Sequence, residues 1–203
     1  RPANYPPGNP GRGHIILESK KRGGPRLLVI NLIGRVFFPQ NFDDPFRGLD
    51  KVLQEYHNSP SPAPTAVRAP SPSGRGGGEG SDINGIIVDF HTEATSEQNA
   101  FAFYADGRIS AVVGTHTHVG TTDARVLAGG TACVTDAGGV IAVDSVIGER
   151  KENIINSFLT QQPFKHEPVE EGLCNVGAVL IGIDEKTKLA KSIKRIDEQI
   201  LIQ

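Results

Sequence analysis

Apolar residues gather in short runs along the chain, and turns rich in glycine, proline and polar residues separate the runs. The runs at 15–17 and 27–32 flank a Gly-Gly-Pro turn and predict a β-hairpin, whose second strand is apolar enough to be buried on both faces. Residues 46–58 carry apolar side chains at helical spacing and predict an amphipathic helix. Residues 1–13 hold four prolines and three glycines and predict an irregular opening segment.

The second half of the chain alternates between strand-like and helix-like segments. Apolar runs predict strands at 83–90, 109–114 and 131–135, helices at 95–104 and 149–159, and a terminal hairpin formed by 176–183 and 189–196. Strands that alternate with helices favour an α/β fold, and hairpins at both ends favour a mixed sheet over a purely parallel one.

The segment 59–80 interrupts this pattern, because 14 of its 22 residues are proline, serine or glycine. Such a composition buries too little apolar surface to offset the entropy of ordering the chain. We expect a flexible segment that is either a domain boundary or an insertion in one domain. Our prediction is the second: a single domain over 1–203 that carries an insertion at 59–80.

Composition and charge narrow the class of protein. The 203 residues are 37% hydrophobic and 22% charged, as in an ordinary globular domain. A net charge of −2 argues against general nucleic-acid binding, and no apolar run is long enough to predict a membrane span. Two cysteines are too few for a disulfide framework and predict a reducing, cytoplasmic environment. The sequence lacks methionine even at position 1, which indicates either trimming or the later part of a longer protein.

Three of the six histidines follow predicted strands. His91 ends one apolar run, and His116 and His118 come directly after the next. Ligands bind where the strands of an α/β sheet end, and neutral imidazole is a common metal ligand. In an extended chain His116 and His118 point the same way, whereas Thr115 and Thr117 point to the opposite side. The alternative is that all three are hydrogen-bonded loop histidines.

Other polar residues near these runs are weaker candidates. Asp89 lies two residues before His91 and could orient its imidazole or simply bind nearby amides. Glu93 could also support the site, although solvent exposure is the better expectation. Arg108 is a candidate phosphate ligand, although a single arginine is more often a surface residue.

Two motifs in this region are specific. Asp-Phe-His-Thr-Glu-Ala-Thr-Ser at 89–96 and Gly-Thr-His-Thr-His-Val at 114–119 resemble the YmdB-like branch of the calcineurin-like metallophosphoesterases. Shorter segments resemble the same family, and the resemblance covers almost the whole chain outside 59–80. These segments are 1–6, 29–35, 105–108, 135–138 and 144–148.

The resemblance implies an α/β sandwich with mixed sheets and a dinuclear metal site, in which His91, His116 and His118 are ligands. The implied metals are iron or manganese, with zinc as an alternative. The implied reaction is hydrolysis of phosphodiesters such as cyclic nucleotides by a metal-activated hydroxide. The family's amino-terminal boxes, which supply an aspartate, a Gly-Glu-Asn and a Gly-Asn-His motif, are absent from this sequence. The catalytic residue is therefore unknown, and the fold is expected to be incomplete at its amino terminus.

Three functions follow as hypotheses. The first is a metal-dependent phosphodiesterase that is incomplete in this chain alone, with a second copy or a separate chain supplying the missing half. The second is a non-catalytic remnant or regulatory binding module that retains the fold. The third is a mononuclear zinc hydrolase with three histidine ligands. For the chain by itself we expect at most one weakly held metal, because three imidazoles bring no carboxylate to offset the charge of two cations.

Overall fold

A computed structural model describes residues 1–21, 23–57 and 83–203 of the protein. Within these ranges the chain forms a six-stranded sheet and a three-stranded sheet. In spatial order the larger sheet contains β1 (His14–Glu18), β2 (Arg26–Ile33), β3 (Ile83–His91), β4 (Ala111–Thr115), β6 (Ala132–Val134) and β5 (Arg125–Val126). The smaller sheet contains β7 (Val140–Ala142), β8 (Gly172–Ile183) and β9 (Ala190–Ile202). The helices in the described ranges are α1 (Pro45–His57), α2 (Thr95–Ala105) and α3 (Lys151–Thr160).

The larger sheet has a parallel centre and antiparallel edges. Strands β2, β3, β4 and β6 run parallel, whereas β1 pairs antiparallel with β2 and β5 pairs antiparallel with β6. The predicted opening hairpin is therefore confirmed, as are the mixed sheet and the terminal hairpin, in which β8 and β9 pair antiparallel. The parallel centre matters for function, because it brings the carboxyl ends of neighbouring strands to one edge.

The start of α1 shows how local sequence signals set an element. Asp44 lies just before the helix, and its Oδ1 accepts hydrogen bonds from the backbone N–H groups of Phe46 (2.9 Å) and Arg47 (3.2 Å). Pro45 occupies the first helical position, where its missing N–H would have no helical partner in any case. This acidic cap followed by proline is a local sequence pattern that marks a helix start.

One face of the larger sheet is covered by α1 and α2. Alternate residues of β2 and β3 point to this face, so that Val88 and Phe90 are buried while Ile87 and Asp89 face the other way. Phe90 packs on Phe101 of α2 with ring centroids 4.3 Å apart, and both rings are fully buried. This helix-side core is the largest apolar cluster among the described residues.

The smaller sheet packs against the opposite face. Ala111 and Ala132 of the larger sheet form a cluster with Ala190 of β9, and Ile181 and Ile193 pack against that cluster. Helices on one face and a second sheet on the other make the α/β sandwich with mixed sheets that the resemblance implies.

The structure differs from the sequence expectations in three places. Strands β5 and β7 were not predicted, and β8 and β9 extend beyond the predicted hairpin.

The expected flexible insertion at 59–80 lies outside the described residues, and the single domain over 1–203 stays a prediction. In the described part of the chain, no helix is both long and apolar enough to cross a membrane.

Candidate functional site

Two of the three candidate histidines meet at the carboxyl edge of the larger sheet. His91 is the last residue of β3 and is paired in register with Thr115, the last residue of β4, so that His116 follows directly beside it. Nδ1 of His116 lies 3.3 Å from Nε2 of His91, and their ring centroids are 5.1 Å apart. The parallel pairing of two strands therefore brings together side chains that are 25 residues apart in sequence.

A chain of polar contacts supports the other side of the His91 ring. Nδ1 of His91 lies 3.1 Å from the Thr115 hydroxyl, which donates to Oδ1 of Asp89 at 3.4 Å. Oδ2 of Asp89 accepts a hydrogen bond from the Asn31 side chain at 2.7 Å. When the Thr115 hydroxyl donates to Asp89, it accepts from Nδ1–H of His91, and the tautomer assigned in this way leaves Nε2 unprotonated towards His116. Metal-ligating histidines are commonly held in this way.

The same surroundings favour neutral His91. Burial, followed by the charge of His116, lowers the pKa of His91 below its ordinary value of 6.5, and the opposing effects of Asp89 and Asp136 are smaller. The imidazole is consequently uncharged at neutral pH, which is the form that binds a cation.

Thr115 corrects one expectation from the sequence. Alternation along an extended chain predicted Thr115 on the side opposite the histidines, yet its hydroxyl contacts His91. The reason is that β4 ends at Thr115, so that the register with β3, and not alternation through His116, decides which side chains share a face.

His118 lies apart from this contact. It is exposed, and its φ of 64° is in the left-handed region, so that the chain turns here and does not remain extended as expected. The side chain lines a cavity of about 610 Å³ between the loop that follows β4 and the smaller sheet. His118 still contributes to the electrostatic environment of His91, although its effect on the pKa is the smallest of those acting there.

Neither of the two remaining candidates takes part in the contact between His91 and His116. Glu93 is exposed, as the sequence favoured. Arg108 pairs with the Asp50 carboxylate and lies over the Tyr104 ring, 4.9 Å from its centroid. It precedes β4, at the amino end of the strand, whereas His91 and His116 lie at the carboxyl end. This position does not agree with the expectation that Arg108 binds a phosphate beside the histidines.

Two aromatic side chains that were not predicted from the sequence, Phe38 and Phe42, lie beside the histidine pair. The ring of Phe38 lies 5.9 Å from that of His91 and 6.2 Å from that of His116, with Phe42 6.2 Å behind it. No periodic pattern marks this segment, because residues 34–44 form neither a helix nor a strand.

The segment that carries Phe38 is tied to α2 by Glu97. This buried carboxylate accepts hydrogen bonds from the backbone N–H of Arg35 (2.9 Å) and of Val36 (3.2 Å), and from the Thr92 hydroxyl (3.0 Å). A Cβ at Gly34 would collide with Glu97 and Thr92, so that glycine is required at this position. Glu97 thus places Phe38 against the histidines from a distance of about sixty residues in sequence.

The geometry fits part of a metal site. When two imidazoles bind one cation at about 2.1 Å, their two ligating nitrogen atoms lie roughly 3–3.5 Å apart. The distance between Nε2 of His91 and Nδ1 of His116, 3.3 Å, lies in this range. Among the side chains that the structure describes, no group of three or more His, Cys, Asp or Glu residues is arranged to hold a metal ion. The two histidines therefore fit one half of a cation's ligand shell, and a dinuclear ligand set is not present in these residues.

The fold and this site together define an α/β sandwich with histidines at the carboxyl ends of its central strands. A crystal structure of a phosphatase from Mycoplasma pneumoniae matches it with a TM-score of 0.73 and 28% identity, over 98% of this chain and 63% of that one. A crystal structure of a hypothetical protein from Thermus thermophilus matches with a TM-score of 0.78 and 35% identity, over 98% of this chain and 66% of that one.

Sequence comparison gives the family. The YmdB-like protein family matches residues 1–67 and 78–196, and the chain belongs to this family. The chain is 43% identical over 196 residues to a 2',3'-cyclic-nucleotide 2'-phosphodiesterase of Bacillus subtilis, covering 97% of this chain and 64% of the relative. The chain thus spans less than two thirds of the length of these relatives.

Proposed function

We propose that this chain carries part of the active site of a metal-dependent phosphoesterase that hydrolyses phosphodiesters such as cyclic nucleotides. The observation that carries the proposal is the His91–His116 pair, held 3.3 Å apart at the carboxyl edge of a parallel sheet in a YmdB-like chain. The Bacillus relative is named for 2',3'-cyclic nucleotides, which supports this substrate class. Hydrolysis breaks one P–O ester bond, adds water across it and leaves a phosphomonoester and a free hydroxyl group.

His91, His116 and His118 are the proposed metal ligands, and iron or manganese the proposed metals, with zinc as an alternative. Bound cations would lower the pKa of the attacking water and offset the charge that develops on the phosphate. Within this chain, Thr115, which contacts Asp89, would hold His91 in the tautomer with a free Nε2, and the Phe38 ring lies beside both histidine rings. Asp89 is therefore a candidate for orienting a ligand, and Glu93, which is exposed, has no such contact to support a role.

Metal titration tests the ligand assignment. We expect the purified chain to bind at most one Mn²⁺ or Zn²⁺, and weakly, because the described residues bring two imidazoles together and no carboxylate ligand with them. The variants His91→Ala and His116→Ala are expected to abolish this binding. His166→Ala is the matched control, since His166 is exposed beside Glu149, near α3. Two tightly bound ions per chain, or binding that survives both site variants, would contradict the assignment.

Hydrolysis of adenosine 2',3'-cyclic phosphate, followed by ³¹P NMR with and without added metal, tests the reaction. The proposal expects metal-dependent conversion to the monoester that His116→Ala removes and His166→Ala retains. It also includes a second copy or a separate chain that completes the ligand shell, so the assay is run over a range of protein concentrations. An activity per chain that rises with concentration would support completion by a second copy.

The alternative is a non-catalytic binding module that keeps the fold. The absence of a complete metal-ligand group among the described residues favours it. One bound cation without hydrolysis at any protein concentration would support this alternative. For either function, the free buried thiols Cys133 and Cys174 support a reducing compartment such as the cytoplasm.

A further inference from the structure

A buried carboxylate holds the loop that carries His116 and His118. Asp136 is 1% exposed and lies just after β6. Its Oδ2 accepts hydrogen bonds from the backbone N–H of Thr117 at 2.7 Å and from the Thr117 hydroxyl at 2.9 Å, and its Oδ1 accepts one from the N–H of Gly138 at 2.8 Å. Thr117 is the residue between the two histidines, so Asp136 binds the loop by hydrogen bonds at its centre.

The loop needs such support, because its backbone is not regular. β4 ends at Thr115, and His118 adopts a φ of 64°, which a residue with a Cβ adopts at an energetic cost. A strained conformation persists only where surrounding contacts determine it. Next to His118, the two bonds from Thr117 to Asp136 do so together with the contacts between the Thr117 hydroxyl and the backbone of Val119.

Asp136 is itself fixed from the smaller sheet. Arg195 of β9 donates from Nη1 to the backbone oxygen of Asp136 at 3.1 Å and from Nη2 to that of Ala137 at 3.2 Å, while its Nε bonds Asp197 at 2.9 Å. A Cβ at Gly120 would overlap the Arg195 guanidinium, so that glycine is what allows the loop after His118 to approach it. The histidine loop is therefore anchored to the second layer of the sandwich.

We propose that Asp136 is a positioning residue that fixes the loop of His116 and His118 in the geometry that binds a cation. This inference rests on the proposed function, in which these histidines are ligands. Asp136 acts through Thr117 and does not itself bind the cation. Removing an outer partner of this kind commonly weakens metal binding by about 10–100-fold.

Asp136→Asn is the test variant, because it keeps the size of the side chain while turning one acceptor oxygen into a donor that faces other donors. Asp106→Asn is the matched control. Asp106 also clamps a loop, through the N–H groups of Gly129 (2.8 Å) and Thr131 (3.2 Å), but it follows α2 at the opposite end of the sheet from the histidines. Both variants lose the same kind of contact, and only one of them loses it beside His116.

Two measurements are made on the whole chain. Hydrogen exchange of the Thr117 amide reports the strength of its bond to Asp136 and needs no metal. Titration with Co²⁺, followed by its visible absorption spectrum, reports cation affinity and ligand geometry. For Asp136→Asn we expect at least about tenfold faster Thr117 exchange, a Co²⁺ Kd weaker by about 10–100-fold and an altered spectrum. Asp106→Asn is expected to leave all three within about twofold of wild type.

Unchanged Co²⁺ binding and spectrum in folded Asp136→Asn would overturn the proposal, and so would an equal loss in Asp106→Asn. If Asp136→Asn does not fold, Thr117→Val decides, because it removes the hydroxyl contacts of Thr117, with Asp136 and with the backbone of Val119, and keeps the bond from the Thr117 N–H to Asp136. A several-fold weaker Kd in that variant supports the proposal, and an unchanged Kd overturns it. Failure of the proposed function gives a different result. In that case the wild-type protein binds no Co²⁺, which refutes the assignment of the histidines as ligands. Faster exchange of the Thr117 amide in Asp136→Asn would still show that Asp136 holds the loop.

Discussion

Replacing Glu97 with alanine should destabilise the protein and release the segment that places Phe38 beside the histidines. The substitution removes the acceptor of three hydrogen-bond donors, namely the N–H groups of Arg35 and Val36 and the hydroxyl of Thr92. Arg35 and Val36 are exposed, so that water can replace the carboxylate at their amides. The Thr92 hydroxyl is buried and would be left without this partner.

These contacts set the expected magnitude. An unsatisfied buried hydroxyl costs about 1–3 kcal/mol, and each bond that water replaces costs roughly 0.5–1 kcal/mol. The free energy of unfolding of Glu97→Ala should therefore fall by about 3 kcal/mol. Urea unfolding followed by far-ultraviolet circular dichroism measures it, since the sequence has no tryptophan to serve as a fluorescent probe.

The effect on the site needs a second observable. The Phe38 ring contacts both histidine rings, so release of its segment should shift the imidazole NMR signals of His91 and His116. Glu93→Ala is the control, because Glu93 is exposed in the same region, and its unfolding free energy should stay within about 0.5 kcal/mol of wild type. A loss below about 1 kcal/mol in Glu97→Ala, together with unchanged imidazole signals, would refute this reasoning.

Three further predictions concern pH, packing and thiol reactivity. The pKa of His91 is lower in the folded state than in the unfolded state, so unfolding takes up a proton as the pH falls through 6.5, and the free energy of unfolding decreases there. Urea unfolding measured between about pH 8 and 5 should show this decrease, and the variant His91→Gln should show a smaller one. Phe101→Ala should lower the unfolding free energy by about 4 kcal/mol, whereas Phe103→Ala, on an exposed side of the same helix, should change it by less than about 0.5 kcal/mol. Cys133 and Cys174 are buried, and burial raises the pKa of Cys133, so both should react with a thiol reagent only after denaturant is added; fast reaction of the native protein would contradict their burial.

The elements with strong apolar patterns were predictable from sequence. The helix predicted at 46–58 is α1 (Pro45–His57), and the strand predicted at 83–90 is β3 (Ile83–His91), because each carries enough apolar residues to show its period. Strands β5 and β7 contain two and three residues, which is too few to show an alternation. They form because neighbouring strands offer partners, and that depends on the tertiary fold.

The candidate site also has one part that was predictable from the sequence and one part that was not. The strand ends of His91 and His116 were predictable, because apolar runs lead directly into both residues. The hydroxyl of Thr115 beside His91 was not, since it depends on where β4 ends and how it pairs with β3. Glu97 and Asp136 act on segments 62 and 19 residues away, and a lone carboxylate in sequence does not show which backbone amides it will meet.

The connection between β2 and β3 enters the sheet far from the histidines. β3 begins at Ile83 and reaches His91 only at its last residue, about 25–30 Å further along a strand of nine residues. A longer connection between two elements carries only a small additional entropic penalty. Residues added to the chain ahead of Ile83 join the sheet at the end of β3 opposite His91, so that a reporter or an affinity handle grafted there should leave the histidine edge undisturbed.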